Sequence, residues 1–129
     1  MRIAIAAFGA ALLLAAPAEA QQARLNIDNF NVRTTGDLVR LCSSQPSDPG
    51  YAEAMGWCHG YGRGALDYHR AATPPNASPL FCGPNPAPAW PEVLRRFIAW
   101  GGATPERAAL PAVEGVFGFL IDTYPCPRR

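Results

Sequence analysis

Four cysteines, Cys42, Cys58, Cys82 and Cys126, constrain this chain more than any other feature. An even number in a short exported chain implies a disulfide framework. Export is read from the N-terminus. Arg2 supplies a positive start, Ile3 to Ala16 is almost unbroken apolar sequence, and Ala18-Glu19-Ala20 is an A-x-A cleavage site. Residues 1–20 are therefore expected to be a secretory signal peptide cleaved after Ala20. Gln21 follows the site, not Cys, so a lipoprotein anchor is not expected.

What remains, residues 21–129, suits one small domain and excludes a two-domain dinucleotide enzyme, a barrel or a long repeat array. The net charge is +1, with no basic excess to neutralise a phosphate backbone, so no nucleic-acid partner is expected. All eleven basic residues are Arg, which fits a composition bias better than a preference for bidentate partners. Beyond residue 20 no apolar run approaches 18 residues, so no membrane insertion is expected. The expected product is a soluble, exported protein.

Three cysteine pairings are open. The favoured one is Cys42–Cys58 with Cys82–Cys126: one bridge across a short turn between consecutive helices, the other from the Pro-rich loop to the end of the last helix. Loop entropy assigns these bonds about 3 and 4 kcal/mol but does not choose between pairings. Metal chemistry is not expected. There is no C-x-x-C and no H-x-x-x-H, and adjacent Cys58-His59 diverge on a helix.

Residues 21–33 are polar and aperiodic, and read as a loosely attached arm. Thr34 or Thr35 can cap a short helix carrying Leu38, Leu41 and Cys42. Ser47-Asp48-Pro49 reads as the start of a long helix, about residues 50–71. Met55, Cys58, Ala65 and His69 share one face of it, and Trp57, Tyr61, Gly64 and Tyr68 an adjoining stripe. Gly56, Gly60 and Gly64 recur every four residues, with Gly62 beside them. Each costs about 1 kcal/mol against Ala, so a second backbone close by is expected. That backbone belongs to the core in the plainer reading and to a partner in the sharper one.

Residues 72–91 hold seven prolines and are expected to be extended or turn-rich. Pro91 opens a third helix to about Trp100, with Val93, Leu94, Phe97 and Ile98 on one stripe. Thr104-Pro105-Glu106 starts a turn or a short helical piece. Pro111 begins the last helix, with Val113, Val116, Phe117, Leu120 and Ile121 as its apolar face. The expected fold is all-α: a small four-helix domain stapled by two disulfides, with a long Pro-rich loop.

No catalytic constellation emerges. There is no G-x-S-x-G and no H-E-x-x-H. Gly60-x-Gly62-x-Gly64 lacks the strand and the Lys-Ser/Thr of a phosphate loop. Trp57-Cys58-His59 would need a free thiolate with His in reach, whereas four exported cysteines are expected to be paired. His59 and His69 read as surface or core-edge residues. Asp67, late in the long helix, opposes the helix dipole, so it is either solvated or held by a partner such as Arg. No catalytic, cofactor or metal residues are assigned.

One pattern remains. Gly36-Asp37-Leu38-x-x-Leu41-Cys42 is followed by Cys58-x-Gly60-Tyr61-x-x-Gly64-x-x-Asp67, then Phe81-Cys82-x-Pro84, the Val93–Ile98 helix, Thr104-Pro105-Glu106 and Tyr124-Pro125-Cys126. In this order and spacing the chain resembles the Rap/Tai family over residues 34–127. Those are periplasmic immunity proteins against peptidoglycan amidase toxins delivered by type VI secretion. Gly62 departs from the aliphatic residue usual there, and the loop before Cys82 is longer and richer in proline.

The resemblance implies a helical, non-enzymatic periplasmic protein that occludes the cleft of a cell-wall amidase. Family members are often dimers, which leaves a homodimer open. Such inhibition needs a rigid scaffold and aromatic or Arg anchors. The candidates are Arg70, Phe81 and Trp90 around the loop, and Trp100 and Arg107 around the second turn. The competing expectations are an acid-stress chaperone and a small periplasmic binding protein with another partner; poverty in charge speaks against the chaperone.

Overall fold

The computed structural model describes residues 27–127. Residues 1–20, read as a signal peptide, residues 21–26 and the Arg128-Arg129 tail lie outside the described residues. Within them a 3-10 turn, Ile27–Phe30, precedes five α-helices: α1 Thr35–Cys42, α2 Tyr51–Ala72, α3 Trp90–Gly101, α4 Pro105–Ala109 and α5 Ala112–Thr123. The class is all-α, as expected. The segment at Thr104-Pro105-Glu106 forms the short helix α4, which adds a fifth helix to the four expected.

Helix α1 is short and central, and it packs against every other helix. Its start is fixed by a capping box. The Thr34 hydroxyl accepts from the Asp37 N–H at 3.1 Å, and the Asp37 carboxylate accepts from the Thr34 N–H at 2.9 Å. The Arg33 N–H and the Arg40 guanidinium donate to the same carboxylate. The Thr34 backbone hydrogen bond is the main reason the Asp37 carboxyl is held down at about 2. An isolated helix of this length is not stable in water, so burial of Thr35, Leu38, Leu41 and Cys42 must hold it.

Two glycines let neighbours approach α1. A Cβ on Gly115 of α5 would stand 1.9 Å from the Thr35 hydroxyl oxygen. One on Gly101 of α3 would meet Val39 at 2.7 Å. Thr35 is fully buried and satisfied, its N–H and hydroxyl both donating to the Leu110 carbonyl at 2.8 and 3.2 Å.

Helix α2 begins at Tyr51, within one residue of the expected start near residue 50, although neither Ser47 nor Asp48 caps it. Gly50 stands at its N-cap with φ 80°, a left-handed conformation that favours glycine. Asp48 instead accepts from the Gln45 N–H at 2.7 Å and closes the preceding turn. Ala54 and Cys58 are the buried residues of α2. The Cys42–Cys58 disulfide bolts α2 to α1 beside them.

The core joins Leu38, Cys42, Cys58, Phe97, Ala112, Val116, Phe119 and Leu120. Each buried Leu or Phe contributes about 1.5–3 kcal/mol. The Pro-rich segment between α2 and α3 has no regular element and includes a cis Asn85–Pro86 bond. Cys82–Cys126 anchors its middle, and the Cys82 N–H donates to the Tyr124 carbonyl at 2.8 Å. Both disulfides are the favoured pairs, and no cysteine is free.

Of the arm read as loose, the described part has attachments. Val32 packs on the core, and the Arg33 carbonyl accepts from the Ala112 N–H at 3.0 Å. The glycines of α2 differ from the packing reading. Nothing lies within 4 Å of a Cβ built on Gly56, Gly60 or Gly64. Their strip faces outward, because the buried seam of α2 runs through Ala54 and Cys58 on the other side.

Candidate functional site

Helix α3 carries both tryptophan candidates, Trp90 exposed and Trp100 half-buried against the core. Trp90 is its first residue and Trp100 its last but one. Ten residues of helix separate them by about 15 Å. Pro91 at the first turn fixes the start, and the Phe97 face binds the helix to the core.

Trp90 remains 37 % exposed. Its ring meets His59 edge to face, with centroids 4.4 Å apart. Its far edge lies 3.6 Å from where a Cβ on Gly62 would be. An alanine there would make ordinary contact, so Trp90 does not require the glycine.

At the other end of α3 the structure gathers Trp100 and Arg107 with Asp122. The Trp100 indole N–H donates to Asp122 Oδ2 at 2.8 Å, and Arg107 donates to the same oxygen at 3.3 Å. The guanidinium sits 4.5 Å from the Trp100 ring centroid, a cation–π contact. One carboxylate thus fixes an indole and a guanidinium, the two side-chain types most common among interface hot spots. Asp122 was not among the residues singled out by sequence.

The remaining candidates lie elsewhere. Arg70, near the end of α2, donates to Asp67 Oδ1 at 3.0 Å, and Arg63 donates to Asp67 Oδ2 at 2.8 Å. The Arg63 hydrogen bond is the first reason the Asp67 carboxyl is held below its ordinary value. Asp67 is therefore held by two Arg. Phe81 is half-buried, packs on the core and faces His69, so its main role is to seat the loop. His69 lies against Phe117 and contacts Thr73, a core-edge histidine.

Between α2 and α3 lies a cleft divided by Leu94. On one side a cavity of about 60 Å³ runs under Trp90, past Gly62 and Leu66, to Phe97 and Phe119. Its lining is apolar. On the other side an open recess of about 360 Å³ is bounded by Tyr51, Met55, Pro46, Arg95 and Ile98. Leu94 and Cys42 line both. Arg95 is the one charged side chain in either lining. Among the described residues it has no carboxylate within ion-pair distance, whereas Arg40, Arg63, Arg70, Arg96 and Arg107 each have one. Arg95 was not among the residues singled out by sequence. The available signal was Glu92, whose i,i+4 partner is Arg96, which leaves Arg95 over.

Among the described residues no three His, Cys, Asp or Glu side chains gather to hold a metal. Cys58 is in a disulfide and offers no thiolate to His59. No helix among these residues is long and apolar enough to cross a membrane. The described residues form an all-α domain stapled by two disulfides. The family model of Rap1a immunity proteins matches residues 34–126, most of the chain. The chain belongs to this immunity family, whose members act against protein toxins. No curated protein and no solved structure matches it.

Proposed function

We propose that this protein is exported to the periplasm, binds a peptidoglycan amidase toxin delivered by type VI secretion, and blocks it by covering its catalytic cleft. The observation that carries this reading is the Trp100–Arg107–Asp122 cluster. It is a pre-ordered aromatic and cationic anchor on a scaffold whose two disulfides limit the ordering cost of binding. Trp90, at the far end of α3, supplies a second anchor. Inhibition by coverage asks for no catalytic groups and no cofactor. The A-x-A site before Gln21 and the four paired cysteines support an oxidising destination.

The test is titration of purified type VI amidase effectors with the exported, oxidised protein, following release of peptidoglycan peptides. Stoichiometric inhibition of one amidase, lost in Arg107→Ala and Trp100→Ala, is the expected result. Binding of many unfolded proteins without inhibition of any amidase would overturn it in favour of a holdase.

A further inference from the structure

The cleft between α2 and α3 lies apart from the Trp100–Arg107–Asp122 cluster. Three observations converge on it. First, the cavity under Trp90 is apolar and about 60 Å³, room for the end of an aliphatic side chain and too dry for a water with several partners. Second, Gly62 keeps that room open although an alanine would fit, and a mid-helix glycine costs about 1 kcal/mol. Third, across the Leu94 ridge, Arg95 presents an unpaired guanidinium in an otherwise neutral recess.

We infer that this cleft receives an extended segment of a protein partner in which an aliphatic residue stands next but one from an acidic residue. The aliphatic side chain enters beneath Trp90 and the carboxylate pairs with Arg95. Five residues of α3 separate Trp90 from Arg95, about 7.5 Å of rise. Next-but-one residues of an extended chain span a similar distance, about 7 Å, and point to the same face. Charge complementarity selects the acidic residue, since Arg95 has no carboxylate within ion-pair distance among the described residues and would repel a basic one. The partner being the toxin rests on the immunity reading; the chemistry of the cleft does not.

The probe is a capped hexapeptide, acetyl-Ala-Leu-Glu-Ala-Leu-Glu-amide, titrated into the exported, oxidised protein and followed by amide and indole NMR shifts. Its Gln counterpart is the control. The expected result is saturable shifts confined to Gly62, Trp90, Leu94 and Arg95, with the Glu peptide bound at least fivefold more tightly. Arg95→Glu should weaken the Glu peptide tenfold or more. Gly62→Val, which fills the cavity, should weaken both peptides while thermal unfolding shows the fold kept.

Shifts elsewhere, no binding at millimolar peptide, or affinity indifferent to Arg95 would overturn the inference. The two proposals fail separately. An amidase inhibited equally by wild type, Arg95→Glu and Gly62→Val removes the cleft and leaves the immunity reading. Peptide binding in the cleft, with no amidase inhibited, does the reverse.

Discussion

A Cβ placed on Gly115 would collide with the hydroxyl oxygen of Thr35, so the backbone of α5 lies directly against the Thr35 side chain of α1. No rotamer of Thr35 escapes cheaply, because its hydroxyl is bound to the Leu110 carbonyl and its side chain is fully buried. Gly115→Ala is expected to destabilise the fold by about 2–3 kcal/mol, the upper range for overpacking. Adding Thr35→Ala should recover part of that loss. Guanidinium unfolding of the single and double variants measures both, and equal midpoints for wild type and Gly115→Ala would contradict the contact.

The outward glycines of α2 predict the opposite sign. Gly56→Ala, Gly60→Ala and Gly64→Ala meet nothing within 4 Å, so each should raise stability by about 0.5–1 kcal/mol through helix propensity alone. Denaturant midpoints of the three variants decide it, and a drop in any of them would place a neighbour against that face.

Asp37 gives a pH dependence. Its carboxyl is held at about 2, below its ordinary 3.8, so its contribution is complete above the higher value and is lost as pH falls through the lower one. Asp37→Asn should cost about 1 kcal/mol at neutral pH, typical of a lost cap. The stability gap between wild type and variant should close between about pH 4 and pH 2. Unfolding curves across that range check it; a constant gap would mean that the charge is not what the cap uses.

The staples are unequal in span, 16 residues for Cys42–Cys58 and 44 for Cys82–Cys126. Replacing each pair by alanine should cost about 3 and 4 kcal/mol, respectively, by loop entropy. Protease cutting at the Pro-rich loop should rise sharply in the second variant alone, since Cys82 anchors that loop. Calorimetry and limited proteolysis of the two variants measure these effects.

The class of fold was legible in the sequence because its signals are local. Thr34 with Asp37 is a cap at fixed spacing, Pro91 and Pro111 open helices, and the Phe97 side follows a 3.6 period; the face read for α5 was rotated, since Val113 and Ile121 are exposed and Phe119, outside that face, is buried. The α2 glycines misled because spacing shows that residues share a face but not which way the face points. The seam through Ala54 and Cys58 turned them outward. The Gly115–Thr35 and Gly101–Val39 contacts were invisible for the same reason: crossing points belong to pairs of helices, not to either alone. Trp100 and Arg107 were readable as anchors by type, whereas their union through Asp122 depends on α5 passing beside α3. Arg95 stood out only once its neighbours' partners were known.

The two disulfides also define how the molecule would carry tension. A pull between its ends enters at α1, crosses from Cys42 to Cys58, runs along α2 to Cys82, and leaves through Cys126. Helices α3, α4 and α5 lie inside the ring closed by the second bond and off that load path. Trp90, Trp100, Arg107 and Asp122 all sit in the sheltered ring. The covalent path of such a pull therefore does not run through the backbone that carries those four residues.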